Sequence, residues 1–173
     1  MLNRRFVLVR RPVGHAAAED FKIVAEPAPK DEPGSIVVRN HYVSLDPTQL
    51  LWMRETETYM PAIALGAPVR ASTVGVVHSS AAPGFAEGDW VMGLNAIEDY
   101  SLMRPDGFTM KIDVSKVPSP TNYLSVMGAV GLSAYFGLLL DGKPQPGEKL
   151  ALFAGRRFLI VACTGVFAEV PMS

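Results

Sequence analysis

The chain starts one structural unit late in its length and then changes course. From Gly128 it reads Gly-Ala-Val-Gly-Leu-Ser-Ala-Tyr-Phe-Gly-Leu, then Pro144-Gln145-Pro146-Gly147-Glu148, then the apolar run Leu150-Ala151-Leu152-Phe153. A helix, a Pro-Gly-Glu turn and a buried strand in that order open a doubly wound nucleotide-binding domain. Such a strand leads into a glycine-rich turn and a second helix, whose free N–H groups receive a pyrophosphate. Here Ala154-Gly155-Arg156-Arg157-Phe158 follows, and the sequence runs on only to Ser173. A domain of that kind takes roughly 130 residues or more, and there is no room for one after Pro146. The expectation is a chain truncated before its cofactor domain, with most of its structure in the residues before Thr121.

Those first residues read as short strands punctuated by turns. Phe6 to Val9 and Phe21 to Val24 are strand-like, the second followed by the proline-rich segment Glu26 to Gly34. In Ser35 to Leu45, Ile36, Val38, Asn40 and Tyr42 alternate with Val37, Arg39, His41 and Val43. Asp46-Pro47 ends that strand, because proline lacks a ladder donor and forces extended geometry on its predecessor. Leu50 to Thr58 reads as a short helix or a loop over a cleft. Ser72 to His78 is a strand in which Gly75 marks a bulge or a close backbone approach. Turns at Pro83-Gly84-Phe85 and Glu87-Gly88-Asp89 precede strands at Trp90 to Leu94, Asp99 to Met103 and Phe108 to Val114. Many short strands at this spacing predict a closed or nearly closed barrel.

The pattern changes near Thr121. One helix is expected through Met127 and a second from Val130 to Leu140, ended by Asp141-Gly142. Two apolar runs, Leu150 to Ala154 and Phe158 to Cys163, predict a hairpin that extends the barrel sheet or pairs with another subunit. The fold class is therefore mainly β, a β-rich α+β barrel with two C-terminal helices and a short β tail. Residues 1–120 are expected to form the barrel. Residues 121–173 carry the helical segment, the first strand of a would-be Rossmann domain and an atypical tail.

The net charge of −1, with acids and bases well mixed, points away from a nucleic-acid or membrane partner. The single cysteine, Cys163, leaves no internal disulfide or multi-cysteine metal site and is read as a buried inert thiol. No run approaches the ~20 apolar residues of a spanning helix. The four apolar residues Phe6 to Val9 are too few for a signal-peptide core. A cytoplasmic location is expected.

Several segments occur together in order: Ser44-Leu45-Asp46-Pro47, Thr73-Val74-Gly75-Val76-Val77, Pro83-Gly84-Phe85 with Gly88-Asp89-Trp90-Val91-Met92-Gly93, Glu98-Asp99-Tyr100, Gly131 to Leu138, and Pro144 to Glu148. The series, over residues 3 to 152, resembles the zinc-free medium-chain dehydrogenase/reductases, in the branch of prostaglandin, alkenal double-bond and curcumin reductases. The resemblance implies a GroES-like barrel preceding a Rossmann domain, with the active site between them. It also implies NADPH-dependent reduction of the double bond of an α,β-unsaturated carbonyl.

It implies roles for particular residues as well. Ala129 to Ser133 would lie beside the nicotinamide, with Ser133 hydrogen-bonding its carboxamide, and Asp46-Pro47 would shape the cleft floor. Candidate cofactor contacts are Pro47, Ala129 and Ser133. Candidate catalytic groups are Asp46, Arg70 and Tyr59. Each has a plainer reading: helix packing for Ser133, a turn cap for Asp46, a surface salt bridge for Arg70. Tyr100 is read as a core residue. No metal is expected, because neither thiolate nor imidazole stands at Ser44 to Asp46 or Leu65 to Ala67, and zinc needs N or S ligands. His15, His41 and His78 fall at no ligand spacing.

Two departures stand out. Thr48-Gln49-Leu50 replaces the tyrosine, methionine and arginine usual after Asp-Pro, and Ala129-Val130 replaces a Met-Pro or Met-Thr pair. The isolated chain is therefore expected not to hold NADP. The alternative is a standalone GroES-like module that binds a hydrophobic small molecule or dimerises, or a cofactor-free cyclase or isomerase using Asp46, Tyr59 and Arg70. A homo-oligomer is expected in either case.

Overall fold

The computed structural model describes residues 1–56 and 58–145, together with the backbone of 149–154 and 157–162. The chain divides into two compact units, Met1–Gly128 and Ala129–Ser173. The expectations for Cys163 and for the Pro146–Glu148 part of the turn lie outside the described residues.

The first unit is built on a five-stranded antiparallel sheet. Its strands are β3 (Ile36–Val43), β4 (Arg70–Ser80), β5 (Trp90–Ala96), β6 (Tyr100–Met103) and β7 (Met110–Lys111), in the order β6-β3-β4-β5-β7. A hairpin of β1 (Leu2–Leu8) and β2 (Phe21–Pro27) pairs from Leu2 opposite Pro27 to Leu8 opposite Phe21. The hairpin joins the rest through β1. Phe6 N–H donates to Ile97 at 2.9 Å, Leu8 N–H to Ala67 at 3.0 Å, and Val69 N–H to Phe6 at 2.9 Å. The strand is thereby placed beside the segments that enter β4 and leave β5. The many expected short strands are present. Phe108 to Val114 shrinks to two strand residues, and β2 runs two residues into the proline-rich segment.

Burial follows the alternation where only one face is covered. Ala71, Thr73 and Val77 of β4 point inward, and Ile36, Val37 and Val38 of β3 are all fully buried. One core cluster holds Ile36, Val38, Val77, Ala82, Val91 and Met103. A second holds Leu8, Trp52, Met53, Ile63 and Val69. Each large aliphatic side chain taken from water contributes about 1.5–3 kcal/mol, so these clusters set where the strands must lie.

Gly75 does what its position in the strand predicts. The β3–β4 register slips between Asn40 and Tyr42, leaving His41 as the extra residue opposite Gly75. A Cβ on Gly75 would meet the Arg39 carbonyl oxygen, with Val38 Cγ1 at 2.8 Å. Only glycine lets the two backbones approach there. The Gly84 to Asp89 turn is likewise held by its glycines, at φ of 82° and 89° for Gly84 and Gly88. Asp89 accepts from Ala86 N–H at 2.7 Å and pairs with Lys111 at 2.7 Å.

The helical segments are shorter than their apolar spacing suggests. α1 covers only Thr48–Trp52. The helix expected through Met127 is a 3-10 turn over Pro120–Leu124, capped by the Ser119 hydroxyl. In the second unit, α2 (Ala129–Tyr135) passes into a π-helical turn, Phe136–Gly142. The left-handed residue that ends it is Lys143, at φ 44°, and not Gly142. The tail forms the expected hairpin, β8 (Lys149–Ala154) with β9 (Arg157–Ala162), as a two-stranded antiparallel sheet of its own. In it β8 takes an antiparallel partner where a Rossmann domain would give it a parallel one.

Candidate functional site

The residues after β3 are the best-organised polar corner of the first unit. Ser44 N–H donates to Ser72 at 2.8 Å, carrying the β3–β4 pairing past the end of the strand. Pro47 then starts α1, where its missing N–H costs nothing. Asp46 caps the turn through its carbonyl, which accepts from Gln49 N–H at 3.0 Å.

The residue that holds this corner together is Gln49, 6% exposed. Its Oε1 accepts from Asp46 N–H at 3.1 Å. Its Nε2 donates to Ser44 at 3.2 Å and to the Arg70 carbonyl at 3.0 Å. One amide side chain therefore joins the loop, α1 and the first residue of β4. In the sequence Gln49 stands out only as a departure from the Tyr-Met-Arg pattern. The signal that it matters is an amide inside an otherwise apolar run, and its partners are visible only in the fold.

Trp52 gathers two of the candidate catalytic residues. The Arg70 guanidinium lies over the indole, 5.5 Å from its centroid. Tyr59 meets the same ring edge-on at 6.2 Å. Its hydroxyl shares a 2.5 Å hydrogen bond with Thr48 Oγ1. Arg70 Nη1 donates to the Pro61 carbonyl at 3.1 Å. Among the described residues no carboxylate pairs with Arg70, so the surface salt bridge considered for it is not formed there. Burial pushes its pKa below the usual arginine value, yet an arginine stays protonated at neutral pH. Trp52 itself is buried, and among the described residues its Nε1 has no hydrogen-bond partner.

Asp46 joins this group through its backbone and Gln49, and Pro47 is exposed at the start of α1. Ala129 and Ser133 belong to the second unit. Ser133 Oγ donates to the Ala129 carbonyl at 2.7 Å. Its proton is thus engaged inside α2, and only its lone pairs remain for a carboxamide. Tyr100, read as core, is half-buried on β6, where its ring meets His78 edge-on at 5.5 Å. Beside it, Glu98 accepts from Arg5 at 3.1 Å and from Ser101 at 2.8 Å, a network that braces β1 against β6.

Among the described residues no strand leads through a glycine-rich turn into a helix, since β8 is followed by β9. Among them no three His, Cys, Asp or Glu side chains come together as metal ligands, and no helix is long and apolar enough to cross a membrane.

The barrel and its corner at α1 define an N-terminal, GroES-like domain of the medium-chain dehydrogenase/reductase class. Residues 4–112 match the family described as the N-terminal domain of oxidoreductase, and the chain belongs to it. It is 34% identical over 152 residues to the NADPH-dependent curcumin reductase of Escherichia coli, covering 88% of this chain and 44% of that protein. The NADP(+)-dependent 2-alkenal reductase of Nicotiana tabacum is 30% identical over 156 residues, covering 88% of this chain and 45% of the relative. The crystal structure of CurA from Vibrio vulnificus superposes with a TM-score of 0.74 at 33% identity, over 84% of this chain and 42% of CurA. The same enzyme has been solved with NADPH. The chain spans just under half the length of these relatives.

Proposed function

We propose that this chain forms the substrate-side barrel of an NADP-dependent reductase of α,β-unsaturated carbonyl compounds. The cofactor would be held largely by a surface that the described residues do not supply. The observation that carries this reading is the 34% identity with the curcumin reductase, which runs through the barrel. NADP, when bound, supplies the hydride; the residues here bind and orient the acceptor.

In this reading the exposed ring of Tyr59, backed by Trp52, offers an aromatic wall to a conjugated chain. Tyr59 and Thr48 share one hydrogen bond between two hydroxyls, so one O–H proton is left to donate to a carbonyl oxygen. Charge developing on that oxygen is stabilised by such a donor. Asp46 and Pro47 shape the adjoining loop, and Ser133 accepts from a carboxamide. The test is an NADPH titration of the purified chain, followed by nicotinamide fluorescence and by oxidation of NADPH with 2-hexenal. Binding and turnover in a multimer support the proposal. NADPH bound wholly within one monomer refutes the division of labour. No binding in any assembly refutes the reductase reading for this chain.

One observation favours a second reading, the standalone module that self-associates in the cytoplasm. The second unit exposes Val130, Leu132, Tyr135, Phe136 and Leu140, at 44–62% each. Apolar side chains grouped on one element mark an interface. Light scattering across a concentration series separates the cases: a monomer at every concentration removes this second reading.

A further inference from the structure

Among the described residues Arg70 is a cation without a counter-ion. Arg5, Arg10 and Arg11, which border the same barrel, each have a carboxylate within 4.0 Å. Arg70 has none among the described residues and is half-buried. A partly desolvated charge is unfavourable unless it is paired. Of its five N–H groups, one is given to the Pro61 carbonyl. The guanidinium carbon lies over the Trp52 ring, and among the described residues the group's other donors have no hydrogen-bond partner. A planar fork matches the two oxygens of a carboxylate.

A second observation points the same way. Trp52, 6% exposed, carries a buried indole N–H with no acceptor among the described residues. Buried donors are nearly always satisfied. Among the described residues, the groups placed against it are donors: Arg70 on the ring face, Tyr59 at the edge, with its hydroxyl joined to Thr48. A single guanidinium among neutral donors suits a monovalent carboxylate better than a phosphate dianion, which takes several cations.

We propose that Arg70, on the face of Trp52, is a recognition site for the carboxylate of a small acid with an apolar body. That this acid is the reductase's substrate, carrying its enone apart from the carboxylate, rests on the function proposed above; the binding itself does not. Hexanoate and hexanamide, which have no double bond to reduce, test it without NADPH. The full chain, 15N-labelled, is titrated with each probe while the two indole N–H signals are followed, assigned with Trp90→Phe. Hexanoate is expected to bind about tenfold tighter than hexanamide, to move the Trp52 signal and to leave Trp90 in place. Arg70→Met, which keeps an aliphatic stem over the ring, is expected to abolish the preference. Equal affinity for the two probes, a preference that survives Arg70→Met, or a response confined to Trp90 overturns the proposal. The wild-type comparison decides alone if the variant does not fold. An absence of NADPH binding would leave this result untouched.

Discussion

Replacing Gln49 with methionine isolates what one buried amide does for the candidate site. The two side chains have nearly the same length and volume, so the change opens little cavity. It deletes three hydrogen bonds, to Asp46 N–H, the Ser44 carbonyl and the Arg70 carbonyl. At about 1 kcal/mol net for each neutral bond, the loss is about 3 kcal/mol. For a unit of this size that lowers the melting temperature by about 10 °C. Urea denaturation followed by tryptophan fluorescence measures it, because Trp52 sits one turn of α1 away. The midpoint should fall with the slope unchanged. Gln49→Glu keeps one acceptor, loses both donors and buries a charge, so it should be at least as destabilising at pH 7. A Gln49→Met variant within about 1 kcal/mol of wild type would refute the reasoning, since the amide would then be a bystander.

Other expectations follow from particular contacts. Gly75→Ala drives a methyl into the Arg39 carbonyl oxygen and should cost about 2–3 kcal/mol by overpacking, read as a lower urea midpoint; an unchanged midpoint would mean the bulge relaxes freely. Asp20 is buried, and its carboxyl is held below the usual range by the Ala17 N–H and then by the Arg10 guanidinium. A carboxyl lowered in the fold contributes stability above its unfolded value of about 3.9, and that contribution is lost as pH falls through the folded value. Stability should therefore be level from neutral pH down to about 5 and decline below about 4, with a shallower acid decline in Asp20→Asn; identical acid limbs would remove Asp20 from the account. Trp52→Phe keeps an aromatic ring in its core cluster, so it should destabilise less than Trp52→Ala in the same urea assay, because truncation to alanine leaves the larger cavity; equal losses would mean that the ring's packing contributes nothing.

Much of the barrel was legible because two rules operate over short distances. A β-branched run placed β3, alternating burial placed much of β4, and proline and glycine placed their ends. Gly75 was readable as a close approach because a lone glycine in a β-branched strand has little other use. The helix through Met127 was overread, while the apolar spacing at 130–140 is helical as expected but does not distinguish an α-helix from one that widens into a π-turn. The tail's two apolar runs predicted a hairpin correctly, while its partner in the sheet depended on contacts no local pattern encodes.

The site divides along the same line. Arg70 and Tyr59 could be named from their residue types and neighbours in sequence. Trp52 and Gln49 could not, since their roles exist only where α1, the residues after it and the start of β4 converge. Residue chemistry and local spacing determined the strands, the turns and which groups could act at all. The fold decided which of those groups meet, which charge is left without a partner and which donor without an acceptor, because burial and pairing are properties of segments far apart in the chain brought within a few ångströms.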